Sequence, residues 1–172
     1  CDDPVDTLLD ALERQKPDLL VVGTHRLTNL ERAIRGSVSD SLAANAAIPT
    51  IFLPIGGRGF VSEDTGELML NRVLIPVEGE ASAVKAIEAV GGLLEKMDVR
   101  DVEIVLVHVG TEKILDEVFV PENEHWRWRR IERAGNLSEV VGSMAAELDV
   151  DMIAMATHGH DSVFDMLLGS NT

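Results

Sequence analysis

The sequence predicts an α/β fold, an open parallel sheet flanked by helices and built from two homologous units. Three observations predict it. Short runs rich in Val, Ile and Leu alternate with longer stretches of helical spacing, the order expected of a parallel sheet with right-handed crossovers. Several of these runs are continuously apolar, as in strands buried on both faces. One passage also occurs twice at a fixed offset: DLLVVGTHRLTNLERAIRGS from Asp18 to Ser37, and DMIAMATHGHDSVFDMLLGS from Asp151 to Ser170. His25 matches His158, and Gly36 matches Gly169. A repeat this long is a repeated domain, since solenoid units are far shorter.

The elements follow in order. A helix is expected over Asp6–Gln15, where Leu8, Leu9 and Leu12 share a helical spacing; Pro4 precedes it and Pro17 stops it. Asp18–Gly23 is a strand ending in a turn. Asn29–Asn45 is helical, restarting after Gly36-Ser37 with Ser37 as N-cap, and Ile48–Pro54 is the next strand. Gly56–Gly66 is the one break in composition and reads as a linker. Within and beyond it, Phe60-Val61, a polar turn and Leu68–Leu70 have the form of a β-hairpin, a disordered loop being the alternative. The second unit opens with a strand from Arg72 to Gly79. A helix over Ala81–Met97 follows, with Ala86, Val90, Leu93 and Leu94 on one face, and then a strand over Val102–Val109. Gly110–Glu124 is acidic and poorly periodic, which predicts a surface excursion. Trp126–Ile131 alternates at period two, placing Trp126 and Trp128 on one face and Arg127 and Arg129 on the other. Leu137–Leu148 is helical, and Val150–Ala156 is the strand that repeats Leu19–Gly23. The domain reading is residues 1–55 as the C-terminal part of a first domain, 56–69 as linker or hairpin, and 70–172 as most of a second.

Composition limits the function. The 172 residues are 45% hydrophobic and only 3% aromatic, without Tyr, so the core is aliphatic. No apolar stretch reaches the ~18–20 residues of a membrane-spanning helix, and the acidic Cys1-Asp-Asp-Pro opening lacks the basic segment of a signal peptide. The single cysteine fits a reducing compartment, so the expected location is cytoplasmic. A net charge of −15, from 30 acidic and 15 basic residues, repels nucleic acid. The Trp–Arg stripe is therefore read as core tryptophans backed by a solvated arginine face. Any phosphate bound here must be held by main-chain N–H groups or a metal.

Ligands of open α/β sheets bind outside the carboxyl ends of the strands, where the strand order reverses. Three such ends converge in the second unit: Pro76-Val77-Glu78-Gly79, His108-Val109 and Ala156-Thr157-His158-Gly159. Ala156 and Gly159 are small enough for close backbone approach. Gly169-Ser170 begins a helix whose unpaired N–H groups form an anion site, with Ser170 and Thr172 adding hydroxyls. The expected ligand is a nucleotide, its base near Glu78 and Val109 and its phosphates between the His158-Gly159 turn and Gly169-Ser170. Glu78, Asp161 and Asp165 are candidates to hold Mg²⁺ beside a triphosphate.

These residues resemble the universal stress protein family. The resemblance rests on a small residue at Ala156, Gly159, the later Gly169-Ser170 pair, and the Pro76-to-Gly79 strand end upstream. It implies a Rossmann-like (adenine nucleotide alpha hydrolase-like) fold in a tandem member, units that dimerise or form an intramolecular pseudo-dimer, and ATP as ligand in one subset of the family. Position by position, it implies a base and ribose site at Pro76, Val77, Glu78, Val109 and Met155. It implies a triphosphate site at Ala156, His158, Gly159, Gly169, Ser170, Asn171 and Thr172. Two departures stand out: Glu78 replaces the usual aspartate, and Ala156 replaces the first glycine. In the first copy, Gly23, His25, Gly36 and Ser37 are kept, while Arg26 takes the place of the second glycine. That copy is expected to be a degenerate, structural partner.

Other chemistries fit less well. No Lys precedes Ser37 or Ser170, as a P-loop requires. His158 and His160 fall short of a closed zinc site, so no resident metal is expected. Ser170 has no base at a readable spacing, so no catalytic residue is assigned. Three classes remain: a nucleotide-binding regulatory protein, a slow ATPase using the same site, and a non-binding dimeric scaffold. His108, at a strand end, is read as packed.

Overall fold

The computed structural model describes residues 4–24, 45, 46, 48–54, 56 and 59–156. They group into two compact units, one ending at Arg58 and one beginning at Gly59, each taken by itself.

The first unit holds helix α1 (Pro4–Gln15) and strands β1 (Leu20–Thr24) and β2 (Thr50–Pro54), the strands pairing in parallel from Leu20↔Thr50 to Thr24↔Pro54. Pro4 is the first residue of α1, a position where its missing N–H costs nothing. The half-buried stripe of α1 is Val5, Leu9 and Leu12, whereas Leu8 is 41% exposed; a period of 3.6 carries Leu8 off that stripe. β1 also departs from the expectation of burial on both faces, because Val21 is 53% exposed. Among the described residues this sheet has two strands and one helix.

The second unit opens with a minimal hairpin. Val61 pairs antiparallel with Leu68, Ser62 N–H donates to Glu67 O at 2.9 Å and Met69 N–H to Phe60 O at 2.8 Å. A four-stranded, fully parallel sheet follows: β3 (Arg72–Pro76), β4 (Val102–Val109), β5 (Trp126–Arg133) and β6 (Met152–Ile153), in the order β5-β4-β3-β6. Helix α2 (Glu80–Lys96) joins β3 to β4, and α3 (Leu137–Glu147) joins β5 to β6.

β3 and β4 are apolar on both faces because both faces are covered. Val73, Ile75 and Val77 of the first strand segment and Val102, Ile104 and Leu106 of β4 cluster with Ala83, Ala86, Ile87, Val90 and Leu94 of α2. Leu74, Val105 and Val107 point to the other face, and Val141 and Met144 of α3 are buried outside that cluster. The Gly110–Glu124 segment runs largely exposed, as expected, but two of its residues anchor it. Leu115 and Val118 are 1% and 2% exposed and belong to the α2-side core, a role two isolated apolar residues do not announce by periodicity.

Trp126 and Trp128 share the α2 face as expected, in a T-shaped contact with centroids 6.3 Å apart. Trp126 is buried, and the Trp128 indole N–H donates to Pro121 O at 3.1 Å. Both rings are thus held by the protein rather than offered for base stacking. Gly91 of α2 makes room for Trp126: a Cβ there would lie 3.1 Å from Cη2 of the indole, whereas one at Gly92 would meet nothing within 4 Å. Gly92→Ala should therefore raise unfolding free energy by about 0.5–1 kcal/mol through helix propensity. Gly91→Ala should gain less or lose stability, as denaturant unfolding would show. Equal gains would mean that Trp126 is not seated against α2.

Helix ends are set locally. Asn136 Oδ1 caps α3 by accepting from Ser138 N–H at 2.9 Å and Glu139 N–H at 3.2 Å. After α2, Asp98 takes φ 50°; its N–H donates to Glu95 O, and Val99 N–H to Leu94 O. After α3, Asp149 (φ 50°) and Val150 repeat these bonds to Ala146 O and Ala145 O. Both are Schellman closures with Asp where Gly is commoner. At the amino edge of the sheet, Asp151 Oδ2 accepts from Asn71 N–H at 2.8 Å and Arg72 N–H at 3.0 Å, tying β6 to β3. The Arg72 guanidinium reaches Glu103 at 2.6 Å and also the Leu148 carbonyl.

Candidate functional site

The strand order places the crevice. From β3 the chain winds outward through β4 to β5, then returns to β6 on the opposite side of β3. The order therefore reverses between β3 and β6, and outside their carboxyl ends lies the position where open α/β sheets take ligands.

At this position Pro76 interrupts the pairing of the two strands. Residues 71 and 77 address β4, through Glu103 N–H to Asn71 O and Val77 N–H to Val107 O at 2.8 Å. Residues 72 and 74 address β6, through Asp151 N–H to Arg72 O and Ala154 N–H to Leu74 O. By the same alternation Pro76 faces β6, and it has no N–H to give. Accordingly β6 is only Met152–Ile153 rather than Val150–Ala156, and among the described residues no main-chain bond joins the two chains beyond Ala154.

Around this gap stand six of the expected residues. Pro76 and Val77 end the β3 segment, with Val77 buried; Glu78 is exposed at the rim. Met155 and Ala156 follow β6, both half-buried, and Val109 ends β4. Ala156 is not among the non-glycine residues with positive φ, which are Lys16, Asp98, Asp101 and Asp149; its methyl group introduces no backbone strain. Gly79 caps α2, its N–H donating to Ser82 Oγ at 3.3 Å while Ser82 Oγ donates to Gly79 O at 2.9 Å. The start of α2, with its positive dipole end, thus sits directly after Glu78. The triphosphate-side residues His158, Gly159, Gly169, Ser170, Asn171 and Thr172 lie outside the described residues, as do Asp161 and Asp165. So do His25, Arg26, Gly36 and Ser37 of the first copy; Gly23 is in β1 and exposed. Among the described residues, no group of three or more His, Cys, Asp or Glu is placed to hold a metal.

One residue at the site has a role that spacing did not show. His108 is 8% exposed, and its Nδ1 lies 2.9 Å from the Val77 carbonyl, so Nδ1 carries the proton and donates. This bond ties the end of β4 to the residue just before Glu78. Its Nε2 is buried with no partner among the described residues, and a Cβ on Gly110 would lie 2.5 Å from it. Gly110→Ala should push the ring off Val77 O, with a stability loss of about 1–3 kcal/mol from overpacking. Thermal or denaturant unfolding would check this, and an unchanged midpoint would contradict the packing described. The signal in the sequence was the His108-Val109-Gly110 run at a strand end, but the partner lies 31 residues upstream.

Residues 2–54 match the family model described as the Universal stress protein family. The match covers under a third of the chain, and that stretch is similar to the family. The fold agrees: a universal stress protein from Archaeoglobus fulgidus DSM 4304 superposes with a TM-score of 0.66 at 19% identity. That superposition covers 98% of this chain and 59% of the Archaeoglobus protein, so the chain spans well under two thirds of that relative's length. No curated protein matches the chain. Among the described residues no helix is long and apolar enough to cross a membrane.

Proposed function

We propose that this chain is a universal stress protein that binds adenine nucleotide and acts as a regulatory protein, with ATP seated in the crevice between the ends of β3 and β6. The observation that carries the reading is the gap itself. Pro76 withholds the one N–H that would continue the β3–β6 ladder, and it does so at the topological switch point, beside an exposed carboxylate and a helix start.

In this reading Glu78 accepts the ribose hydroxyls; its extra methylene relative to aspartate is accommodated because the side chain is at the rim. Val77 and Val109 flank the base. His108, through the Val77 carbonyl, holds Glu78's neighbour in register. The triphosphate is assigned to main-chain N–H groups at Gly159 and at Gly169-Ser170, since a chain of net charge −15 has few cations to spare. The first copy, with Arg26 at the position of Gly159, is a structural partner in a tandem pair. Nucleotide occupancy biases the pairing of units or the docking of a partner, and the chemistry required is binding rather than turnover.

Glu78→Ala tests the assignment. Losing hydrogen bonds to a charged acceptor should weaken ATP binding by about 1.5–3 kcal/mol, roughly 10–100-fold in Kd, with folding unaffected. Unchanged affinity in a titration would remove the ribose from this strand end.

A further inference from the structure

The geometry points to a second binding surface, and we propose that the outer edge of β5 docks an extended acidic peptide segment by strand addition. The inference is independent of the nucleotide site.

β5 ends the sheet, with β4 on one side and no strand among the described residues on the other. Val102 N–H donates to His125 O and Gly110 N–H to Arg133 O, so the odd-numbered residues of β5 address β4. In a parallel ladder the even-numbered ones then turn their N–H and C=O outward. The Trp126 N–H is taken by Asn123 O. Beyond it, the main-chain groups of Trp128, Arg130 and Glu132 face out, and among the described residues the only bond to them is from the Arg133 guanidinium to Glu132 O. That is a row of alternating donors and acceptors at the spacing of another polypeptide chain.

The charge on this edge is the reverse of the molecule's. β5 reads WRWRRIER: Arg127, Arg129, Arg130 and Arg133 in one eight-residue strand, out of 15 basic residues in a chain of net charge −15. All four are exposed. Three are steadied along the strand, Arg127 on Asp101 O at 3.2 Å, Arg130 on Val118 O at 2.9 Å, and Arg129 within 3.9 Å of Glu103. Arginines facing arginines disfavour pairing with a second copy of β5, whereas an acidic strand meets complementary charge. A single-stranded nucleic acid would use the same cations but stacks its bases on open aromatic faces, and Trp126 and Trp128 pack on the core; a duplex is disfavoured by the net charge of −15.

Trp126 and Trp128 are the only tryptophans, so intrinsic fluorescence reports on this strand alone. The probe is an eight-residue peptide alternating valine and glutamate, titrated into the full chain, with amide exchange followed in parallel. The proposal expects a saturable fluorescence change and slowed exchange at Trp128, Arg130 and Glu132. Glu132→Pro removes an outward N–H without breaking the inner ladder, and should weaken binding by about tenfold where Glu132→Ala does not. The double variant Arg127→Glu, Arg133→Glu should weaken it by a similar factor, and added salt should do so too. No response at millimolar peptide would overturn the proposal, leaving the arginines only to keep the edge unpaired. Equal binding of a lysine–valine peptide, of a thymidine oligonucleotide, or of the acidic peptide by folded Glu132→Pro would overturn it as well.

Discussion

Gly159→Arg is expected to abolish ATP binding, weakening it by about 100-fold or more, while cooperative unfolding stays unchanged. The variant writes into the second copy of the repeat the residue that the first copy carries as Arg26. In the proposed function the main chain of Gly159 meets the phosphates, and on that proposal a long side chain at this position would compete with them. Losing two or more charge-assisted contacts is enough for an effect of this size. Titration of ATP into wild type and variant checks it, with circular dichroism to confirm folding. Retained affinity would separate the turn from the phosphates, and the two copies could then no longer be told apart by this position.

The largest effect on stability is expected at Leu106→Ala, about 2–5 kcal/mol. Leu106 is fully buried in β4, between β3 and β5 and beneath α2, so neighbours on three sides prevent the cavity from collapsing. Against a typical total of about 5–15 kcal/mol this is a large share. By contrast, Val21→Ala in β1, where the side chain is 53% exposed, should cost far less. Denaturant midpoints for the two variants measure the difference, and comparable losses would contradict the description of a core centred on β3 and β4.

These cases also show where the sequence was readable. β3, α2 and β4 were legible because burial on both faces writes a continuous apolar run and burial on one helical face writes a 3.6-residue period. The expected helix ends at Met97 and Leu148 coincide with the C-caps, since in each case an Asp-Val pair follows and closes the turn. What local pattern did not carry was decided by distant residues. β6 is short because Pro76, some eighty positions earlier, cannot donate to it. Leu115 and Val118 enter the core from a segment with no period, and the seat of Trp126 is made by Gly91 on another element. For the candidate site, the strand ends at Pro76–Gly79, His108-Val109 and Ala156 could be read from apolar runs and their stops, whereas Met155 entered only through the family resemblance. The His108–Val77 bond could not, because a histidine after an apolar run looks the same whether it caps a neighbouring strand or merely packs.

Isothermal titration of ATP into the protein, with and without Mg²⁺, decides whether the strand-end crevice holds a nucleotide. Saturable one-site heat with Kd on the order of micromolar is expected, dependent on Mg²⁺ and absent from Gly159→Arg. No heat and no thermal shift at millimolar ATP would contradict it, and the fold would then serve assembly alone.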